Sequence, residues 1–432
     1  MHLLLRALYG AAAKIASAAS VVVPPSDSKA AMAIHARRGI RERYARWASE
    51  HRNPSRPLLW MHAPSVGEGL QARPVLALLR SKHPEVQVAY TFFSPSAEEF
   101  SRTLDVDFRD YLPFDSRGDM GAALQALRPR ALVFSKLDVW PELVRLATMQ
   151  GVRVGIISAT LASASGRQGT MAAMLLRDAY ASLDAVGAVG QDDADRLVGL
   201  GVRMEALSVT GDTRFDQVWQ RAESVDRQSR VLATLAGTRP TIVAGSTWPA
   251  DETPLLAGFL AARRRHPPPP TGLRIVLAPH ELTRSHLESL ERWSSRHGLV
   301  AARVDSHDAQ SADVVLVDRF GLLGDLYALA DIAFVGGGFH SAGLHSVLEP
   351  AAYGAPVSFG PRHHKSRDAS LLLADDAARV VASARDVERL LLAWIDSPDA
   401  RRAVGARARA VVERGRGAAE RSLRLLERLL EA

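Results

Sequence analysis

The chain has 432 residues and 47% of them are hydrophobic, so it is long enough for two domains and too apolar for a disordered protein. It has no cysteine, which excludes disulfide bonds, thiolate-bound zinc and a cysteine nucleophile. The formal net charge of +7 favours an acidic substrate or an anionic membrane face. Nucleic acid is disfavoured because the basic residues are spread out.

An apolar segment over residues 1–25 begins the sequence. Its apolar side chains recur at helical spacing on one face, at Leu4, Leu8, Ala11 and Ile15. Arg6 and Lys14 interrupt the run, which is therefore too charged for a spanning helix of roughly 20 apolar residues. The pattern predicts an amphipathic or weakly inserted membrane anchor. A signal peptide is the alternative, but no clean cleavage site follows. The arginine-rich residues 26–53 are predicted to be helical, lying on a membrane or over the first domain.

Short apolar strands and helical segments then alternate along the chain. In the first half, the predicted strands cover residues 57–62, 86–93, 130–134, 152–158 and 185–189. After a charged helical connector at 219–238, further strands are predicted at 241–245, 274–278, 314–317, 332–335 and 356–359. This alternation predicts two Rossmann-like domains, 26–218 and 239–400, with parallel sheets that face a cleft. A long amphipathic helix is predicted over 401–432.

The stretch from Asp331 to Pro361 combines a short apolar strand, a glycine triplet and a helix that is predicted to start near Ser346. Glycines let a phosphate approach the backbone, and the free N–H groups of a helix start favour an anion. Glu349 in the first helical turn is then placed to accept hydrogen bonds from a sugar hydroxyl. A tight turn that needs glycine only for its geometry is the alternative. The Glu-Pro pair and the second short strand favour a nucleotide-sugar site.

Several polar residues follow predicted strands and are candidates for chemistry. Glu68 lies in a Ser-Val-Gly-Glu-Gly turn at a helix start, where it is either a general base or a capping acid. Asp138 either supports an acceptor or caps the next helix, and Lys136 either meets an anionic group or is solvated. His280 and Arg284 are either phosphate contacts or surface residues at a helix start. No Asp-x-Asp or His-x-His set accompanies them, so a metal site is not predicted.

An ordered set of short motifs then identifies a family. The motifs are HAPSVGEG at His62–Gly69, YLPFD at Tyr111–Asp115, Trp140-Pro141, GDTRFD at Gly211–Asp216, GST at Gly245–Thr247, ADIAFVGG at Ala330–Gly337, LEPAA at Leu348–Ala352 and FGP at Phe359–Pro361. Together they resemble the Kdo transferases, the 3-deoxy-D-manno-octulosonic acid transferases of lipopolysaccharide synthesis. The resemblance covers most of the chain.

The resemblance implies a GT-B glycosyltransferase fold of two Rossmann-like domains. It implies an inverting transfer of Kdo from CMP-Kdo to a lipid A precursor at the cytoplasmic face of the inner membrane, with no bound metal and no cofactor besides the donor. Glu68 occupies the place of the family's general base, which overrides the capping interpretation. The family's CMP contacts come from three loops that correspond to 279–280, 321–323 and 346–349.

Carried over to this chain, the resemblance implies two sets of binding residues. The nucleotide-sugar-binding residues are Pro279, His280, Gly321, Leu322, Leu323, Gly336, Gly337, Ser346, Val347, Leu348 and Glu349. The acceptor-binding residues are Ser65, Gly67, Lys136 and Asp138.

The chain departs from the family's usual pattern in these loops. His280 stands in place of Arg, Leu322 in place of Glu, Ser346 in place of Asn and Asp138 in place of Glu, and a further acid near Lys136 is missing. Losing the Arg weakens the expected grip on a phosphate or carboxylate, unless Arg284 or the basic cluster 362–367 compensates. Two alternatives therefore stay open: a GT-B transferase for a different nucleotide sugar, and a non-catalytic paralogue that binds lipid or glycan.

Overall fold

The computed structural model describes residues 3–22, 28–161, 170–265 and 272–431. The chain divides into two compact units. The first unit comprises Met1–Gln217 and Arg416–Ala432, and the second comprises Val218–Gly415.

A parallel sheet of seven strands forms the centre of the first unit. Its strands are β1 (Leu58–His62), β2 (Gln87–Phe92), β3 (Phe108–Tyr111), β4 (Ala131–Ser135), β5 (Arg153–Ala159), β6 (Ala185–Ala188) and β7 (Leu207–Val209). They lie in the order β3-β2-β1-β4-β5-β6-β7, and every neighbouring pair is parallel. The strand order reverses between β1 and β4, where doubly wound sheets bind their ligands.

The second unit contains another seven-stranded parallel sheet. Its strands are β8 (Thr241–Thr247), β9 (Arg274–Pro279), β10 (Ala301–Arg303), β11 (Val314–Leu316), β12 (Ile332–Val335), β13 (Val357–Phe359) and β14 (Ala378–Val380). They lie in the order β10-β11-β9-β8-β12-β13-β14, again parallel throughout. Here the order reverses between β8 and β12.

Helices flank both sheets. In chain order they are α1 (Leu3–Val22), α2 (Lys29–His35), α3 (Ile40–His51), α4 (Val66–Lys82), α5 (Ser96–Ser101), α6 (Arg117–Leu127), α7 (Pro141–Met149), α8 (Thr170–Ala181), α9 (Gln191–Gly199), α10 (Thr213–Ser224), α11 (Arg230–Leu235), α12 (Pro249–Arg265), α13 (Arg284–Arg296), α14 (Leu323–Leu326), α15 (Leu348–Ala352), α16 (Arg367–Ala374), α17 (Ala384–Asp396), α18 (Pro398–Gly415) and α19 (Ala418–Glu431). Short 3₁₀ turns lie at Met204–Ala206, His307–Gln310 and Tyr327–Leu329.

All ten predicted strands are present, because their apolar runs are buried in the sheets. The structure adds β3, β7, β10 and β14, which are the two edge strands of each sheet. Edge strands are short and have partly exposed positions, so they lack the continuous apolar run by which a central strand is recognised.

The arginine-rich segment packs against the first unit, which decides between the two placements that the sequence left open. Arg37 is only 2% exposed. Its guanidinium donates to the carbonyl oxygen of Leu112 (2.7 Å) and lies 4.1 Å from the centre of the Phe93 ring. In α3, the hydroxyl of Tyr44 donates to the carbonyl oxygen of Tyr111 (2.8 Å). The described part of residues 26–53 therefore lies over the first domain.

The prediction of one terminal helix over 401–432 is wrong, because the helical structure is interrupted at residues 416–417, between α18 and α19. Gly417 at the turn has a φ of 84°, which glycine adopts without the steric penalty of other residues. The carboxylate of Asp216 accepts the backbone N–H groups of Gly417 (2.7 Å) and Ala419 (2.9 Å), so it caps α19. The helix α19 belongs to the first unit, where Leu425 and Leu429 pack against Gly155 of β5.

Candidate active site

In the first unit, Glu68 lies in the first turn of α4, after the carboxyl end of β1. Ser65 occupies the N-cap position, but its hydroxyl makes no cap hydrogen bond and donates instead to the Glu68 carboxylate. The hydroxyl of Ser135, at the end of the neighbouring strand β4, donates to the Glu68 carbonyl oxygen (2.8 Å). These contacts hold the Glu68 residue in place. Its side chain is 17% exposed, so the carboxylate still reaches solvent.

Lys136 follows β4 and faces the same carboxylate. Its Nζ atom lies 3.3 Å from Oε1 of Glu68, and its side chain is 42% exposed. Its backbone has a φ of 68°, a left-handed conformation that costs a non-glycine residue about 1 kcal/mol or more. The backbone N–H of Lys136 is held by the Ile157 carbonyl oxygen (2.8 Å) of β5. The structure therefore brings together two candidates that are 68 positions apart in the sequence.

The environment of Glu68 favours its ionised form. Burial acts to raise the pKa of Glu68, but the Ser65 hydrogen bond and the Lys136 charge outweigh it, so the pKa lies below its ordinary value. The group is therefore a carboxylate at neutral pH, which is the protonation state of a general base.

Asp138 lies beside a buried histidine that sequence reasoning did not select. Nε2 of His62, the last residue of β1, is 3.7 Å from the Asp138 carboxylate. The indole N–H of Trp140 donates to the same Nε2 atom (3.3 Å), which assigns the ring proton to Nδ1, 3.0 Å from the Thr91 hydroxyl oxygen. Burial lowers the pKa of His62, although Asp138 opposes the shift. Asp138 thus lies in the loop after β4, next to the neutral imidazole of His62.

Gly67 is exposed, and a Cβ atom at this position would touch only the Ser65 hydroxyl, at 3.7 Å. The turn therefore does not itself demand glycine here.

In the second unit, the amides of the glycine triplet are largely engaged within the protein. The buried carboxylate of Asp251 accepts the N–H groups of Gly337 (2.7 Å) and Phe339 (2.8 Å). The Gly336 N–H donates to the Gly245 carbonyl oxygen (2.9 Å). These two glycine amides are therefore not free to bind an anion, because protein acceptors already occupy them.

Close packing explains why the triplet is glycine. A Cβ atom at Gly336 would lie 2.2 Å from the Ser246 carbonyl oxygen, and one at Gly338 would lie 2.4 Å from the Gly360 nitrogen. The alternative interpretation, a turn that needs glycine for its geometry, is correct for this part of the loop.

The end of β9 carries Pro279 and His280, and His280 belongs to a stack of aromatic rings. Its imidazole ring centre lies 4.5 Å from that of Trp248, and the His340 ring also stacks on Trp248, at 4.2 Å. His345 lies 4.6 Å from His280. Sequence reasoning missed Trp248 and His340, because nothing in their spacing shows that three separate loops meet here.

The loop at 321–323 is held by Arg221 of α10. Its guanidinium donates to the Gly321 carbonyl oxygen (3.0 Å) and pairs with the Asp325 carboxylate (2.9 Å). Gly321 has a φ of 91°. Leu322 and Leu323 pack against the apolar core of the second unit, so they shape the loop through apolar contacts.

The loop before α15 presents Ser346 to solvent, whereas the side chains of Val347 and Leu348 are fully buried. Both residues are 0% exposed, backbone included, so of these three positions Ser346 is the one that a ligand can reach. Glu349 is in the first turn of α15, as predicted. Burial raises its pKa, which Arg221 opposes and Asp325 reinforces.

Comparison with known proteins identifies the family. A family model described as 3-deoxy-D-manno-octulosonic-acid transferase (kdotransferase) matches residues 38–217. The 3-deoxy-D-manno-octulosonic acid transferase of Bordetella pertussis is 31% identical, over 89% of this chain and 90% of its own length. The chain belongs to the Kdo transferase family. The enzyme of the same name from Haemophilus influenzae is 25% identical, over 91% of this chain and 92% of its own length.

Solved structures support the fold. A UDP-GlcNAc 2-epimerase from Neisseria meningitidis superposes with a TM-score of 0.62 at 15% identity, over 87% of this chain and all of that chain. The predicted family, the two-domain α/β fold of GT-B type and the assignment as a glycosyltransferase are thus confirmed. The individual site residues stay predictions.

Two features of the described residues bear on this Kdo transferase. No helix among them is both long and apolar enough to cross a bilayer. Nor does the described part of the chain bring three His, Cys, Asp or Glu side chains together in a way that could hold a metal ion.

Proposed function

We propose that this Kdo transferase moves Kdo from CMP-Kdo to a hydroxyl group of a lipid A precursor, with inversion, as a step of lipopolysaccharide synthesis. The observation that carries the mechanism is the ionised Glu68 carboxylate, held between the Ser65 hydroxyl and the Lys136 ammonium group at the carboxyl end of β1. A group that must accept a proton at neutral pH has to be unprotonated, partly accessible and fixed in orientation, and Glu68 meets all three conditions.

The chemical step uses one proton and one leaving group. Glu68 takes the proton of the acceptor hydroxyl while the hydroxyl oxygen forms a bond to the anomeric carbon of Kdo. The bond between that carbon and the phosphate oxygen breaks, and CMP leaves with the electron pair. The attack comes from the face opposite the leaving group, so the anomeric configuration inverts. Neither a metal ion nor a further cofactor takes part in the proposed step.

We assign the acceptor to the first unit. Ser65, Gly67, Lys136 and Asp138 all follow the carboxyl ends of β1 and β4, the two strands between which the sheet order reverses. Lys136 supplies a positive charge for an anionic group of the acceptor. Its ion pair with Glu68 also keeps the base ionised.

We assign the donor to the second unit, because its candidate loops follow β9, β11 and β12 around the reversal of strand order in that sheet. Ser346 is exposed and accessible to a nucleotide, and Glu349, which is partly exposed, is placed to bind a sugar hydroxyl. Arg221 holds the loop at 321–323 in shape.

We further propose that α1 rests on the cytoplasmic face of the inner membrane. Leu8 is 61% exposed and Ile15 is 70% exposed, so the apolar face predicted from the sequence points away from the protein. Elsewhere on the helix, the hydroxyl of Tyr9 donates to the buried Asp115 carboxylate (2.7 Å). One side of α1 is thus attached to the first unit, which leaves the apolar side for lipid. The side chain of Leu4 lies outside the described residues.

The function is tested by incubating the full chain with CMP-Kdo and a tetra-acylated lipid A precursor and measuring products by mass spectrometry. The expected product is heavier than the precursor by one or more Kdo residues. Parallel reactions with UDP- and GDP-linked sugars test the donor. Transfer from one of these but not from CMP-Kdo would replace the proposed donor. Absence of transfer together with absence of nucleotide binding would support a non-catalytic protein instead.

A further inference from the structure

A series of hydrogen bonds joins α1 to the helix that follows the acceptor loop, residues 136–140. The hydroxyl of Tyr9 in α1 donates to Oδ2 of Asp115 (2.7 Å). The same carboxylate accepts the backbone N–H groups of Glu142 (2.9 Å) and Leu143 (2.8 Å), in the first turn of α7. Asp115 is 2% exposed, so its oxygens depend on these three donors and water scarcely reaches them.

Asp115 caps α7, because the helix has no cap of its own. Trp140 occupies the N-cap position without a side-chain cap hydrogen bond, and Pro141 after it has no N–H group. The first N–H groups of a helix need acceptors from outside the helix, and for the next two residues of α7 that acceptor is Asp115. The acceptor loop ends where α7 begins, so the position of Asp115 sets the position of the end of that loop.

The acceptor loop is short, and both of its ends lie beside the proposed active site. Nζ of Lys136 at its start lies 3.3 Å from Oε1 of Glu68. The indole N–H of Trp140 at its end donates to Nε2 of His62, the last residue of β1 (3.3 Å). A displacement of the start of α7 therefore moves Asp138 and Trp140 relative to Glu68. Catalysis is sensitive to such changes, because a misplacement of about 1 Å can cost about a hundredfold in rate.

Tyr9 is also close enough to the acceptor loop to respond to its charges. Burial raises the pKa of Tyr9, and the Asp115 carboxylate raises it further. The charges of Asp138 and Glu142 act on the pKa of Tyr9 in the same direction. The phenol therefore keeps its proton and donates it, and the predicted acceptor-binding residue Asp138 is among the groups that act on it.

A second contact joins the N-terminal helices to the same loop. The Arg37 guanidinium, which follows α2, lies 4.1 Å from the centre of the Phe93 ring. The Phe93 ring stacks in turn on Trp140, with ring centres 5.3 Å apart and an angle of 22° between the planes. The N-terminal helices are thus connected to the end of the acceptor loop through two separate contacts, one at Tyr9 and one at Arg37.

The helix that carries Tyr9 also carries the apolar face proposed to rest on the membrane. Leu8, next to Tyr9 in the sequence, is 61% exposed, and Ile15 is 70% exposed. A lipid acceptor is held in the same bilayer by its acyl chains, so its hydroxyl lies at a fixed depth relative to an interfacial helix. A helix that lies on the lipid and is also bonded to the acceptor loop therefore sets the height of that loop above the membrane.

We propose that Tyr9 is a positioning residue for the acceptor. Its hydrogen bond to Asp115 fixes the acceptor loop relative to the membrane-bound helix α1, so that a hydroxyl of an acceptor embedded in the bilayer meets Glu68. The inference rests on the proposed function and adds Tyr9 and Asp115 to the residues on which use of the acceptor depends. Both act through α7 and the loop before it, and not on the reacting atoms.

The test measures Kdo transfer by the full chain from CMP-Kdo to a tetra-acylated lipid A precursor in vesicles of phosphatidylethanolamine and phosphatidylglycerol. The mole fraction of the precursor in the bilayer is varied, at about pH 8, where Asp115 with its pKa of about 6 is ionised. Tyr9→Phe keeps the ring and loses the hydroxyl, so it is expected to float with the vesicles as wild type does. Its KM for CMP-Kdo should stay within about twofold of wild type, while kcat/KM for the precursor should fall about tenfold.

A second measurement needs neither substrate nor membrane. Hydrogen–deuterium exchange of the full chain follows the amides at 139–143, where the acceptor loop ends and α7 begins. Tyr9→Phe is expected to exchange about tenfold faster there, because the carboxylate that caps α7 loses the donor that orients it, while the rest of the first unit stays as in wild type. Leu8→Glu with Ile15→Glu keeps Tyr9, so it should lose vesicle binding but keep wild-type exchange at 139–143.

Tyr111→Phe is the matched control. It removes another tyrosine hydroxyl that donates to a carboxylate of the first unit, that of Glu98 (3.1 Å), and it should match wild type in both measurements.

A wild-type kcat/KM for the precursor in Tyr9→Phe would overturn the inference. Loss of vesicle binding in Tyr9→Phe would also overturn it, because Tyr9 would then serve membrane attachment alone. So would faster exchange over the whole first unit, which would show a general loss of stability. Transfer by wild type tests the proposed function in the same assay, and the exchange measurement needs no transfer, so the two can fail separately.

Discussion

The Asp251 carboxylate holds the second unit's glycine loop in its shape, and replacing it with alanine should release that loop. Three backbone N–H groups bond to it: those of Trp248 (2.9 Å), Gly337 (2.7 Å) and Phe339 (2.8 Å). Asp251 is 0% exposed, so water cannot readily replace the lost acceptor. At about 1–3 kcal/mol for each buried donor left unpaired, and allowing for relaxation, Asp251→Ala should cost about 4 kcal/mol. Asp251→Asn keeps one acceptor oxygen and should cost about 2 kcal/mol.

Hydrogen–deuterium exchange with mass spectrometry measures this effect directly. About 4 kcal/mol corresponds to about a thousandfold faster exchange of the amides at 335–340 in Asp251→Ala, up to the limit set by global unfolding. Glu252→Gln is the matched control, because Glu252 is a neighbouring buried carboxylate without a bond to these amides. Protection of 335–340 within threefold of wild type in Asp251→Ala would refute the role given to Asp251.

Three further predictions concern the first unit. Lys136→Met should raise the pKa of Glu68, since it removes a charge that lowers it, so the acid limb of the pH profile of kcat/KM should move to higher pH. Burial raises the pKa of Asp115 to about 6 from 3.8. Protonated Asp115 should therefore contribute about 3 kcal/mol to the free energy of unfolding below about pH 4, and this contribution should be lost as the pH rises through about 6. Urea titrations should show the loss in wild type but not in Asp115→Asn. Leu8→Glu with Ile15→Glu should weaken binding to anionic vesicles at least tenfold in flotation assays, about the effect of losing two apolar contacts.

Each of these has a clear contrary result. If the acid limb of the pH profile stays at the same pH in Lys136→Met, the ion pair does not lower the pKa of Glu68. If the free energies of unfolding of wild type and Asp115→Asn change in parallel from pH 4 to 7, the raised pKa of Asp115 is contradicted. For the membrane, Met149→Glu with Met204→Glu introduces the same two charges at other exposed apolar sites of the first unit (70% and 76% exposed). If it weakens vesicle binding as much as the α1 variant, the effect comes from charge alone.

The central strands could be predicted from sequence because both of their faces are covered, which requires long apolar runs. The edge strands could not, since a strand such as β7 exposes residues like Val209 (46% exposed) and has only three positions. The alternation of strands and helices was enough for the two-domain fold. The break between α18 and α19 was missed because it depends on Asp216, which lies 201 residues before Gly417.

The candidate site shows the same division between local and distant information. Glu68 could be selected because its turn and its motif are contiguous in the chain. Its partnership with Lys136 depends on the pairing of β1 with β4, which no local pattern encodes. The glycine triplet was recognised as special, but the acceptor of its amides could not be found, since Asp251 lies 86 positions away from Gly337. Local spacing thus identified which loops matter, while long-range packing decides which of their atoms are free.

The most direct test of the account compares single-turnover Kdo transfer by wild type and Glu68→Gln. The variant is close in size and keeps a hydrogen-bond acceptor for Ser65, so it should fold and bind CMP as wild type does, but it should transfer Kdo at least a hundredfold more slowly. Glu98→Gln, another carboxylate change in the first unit at a half-exposed position, should keep the wild-type rate within about threefold. Wild-type transfer by Glu68→Gln would contradict the assignment of Glu68 as the base.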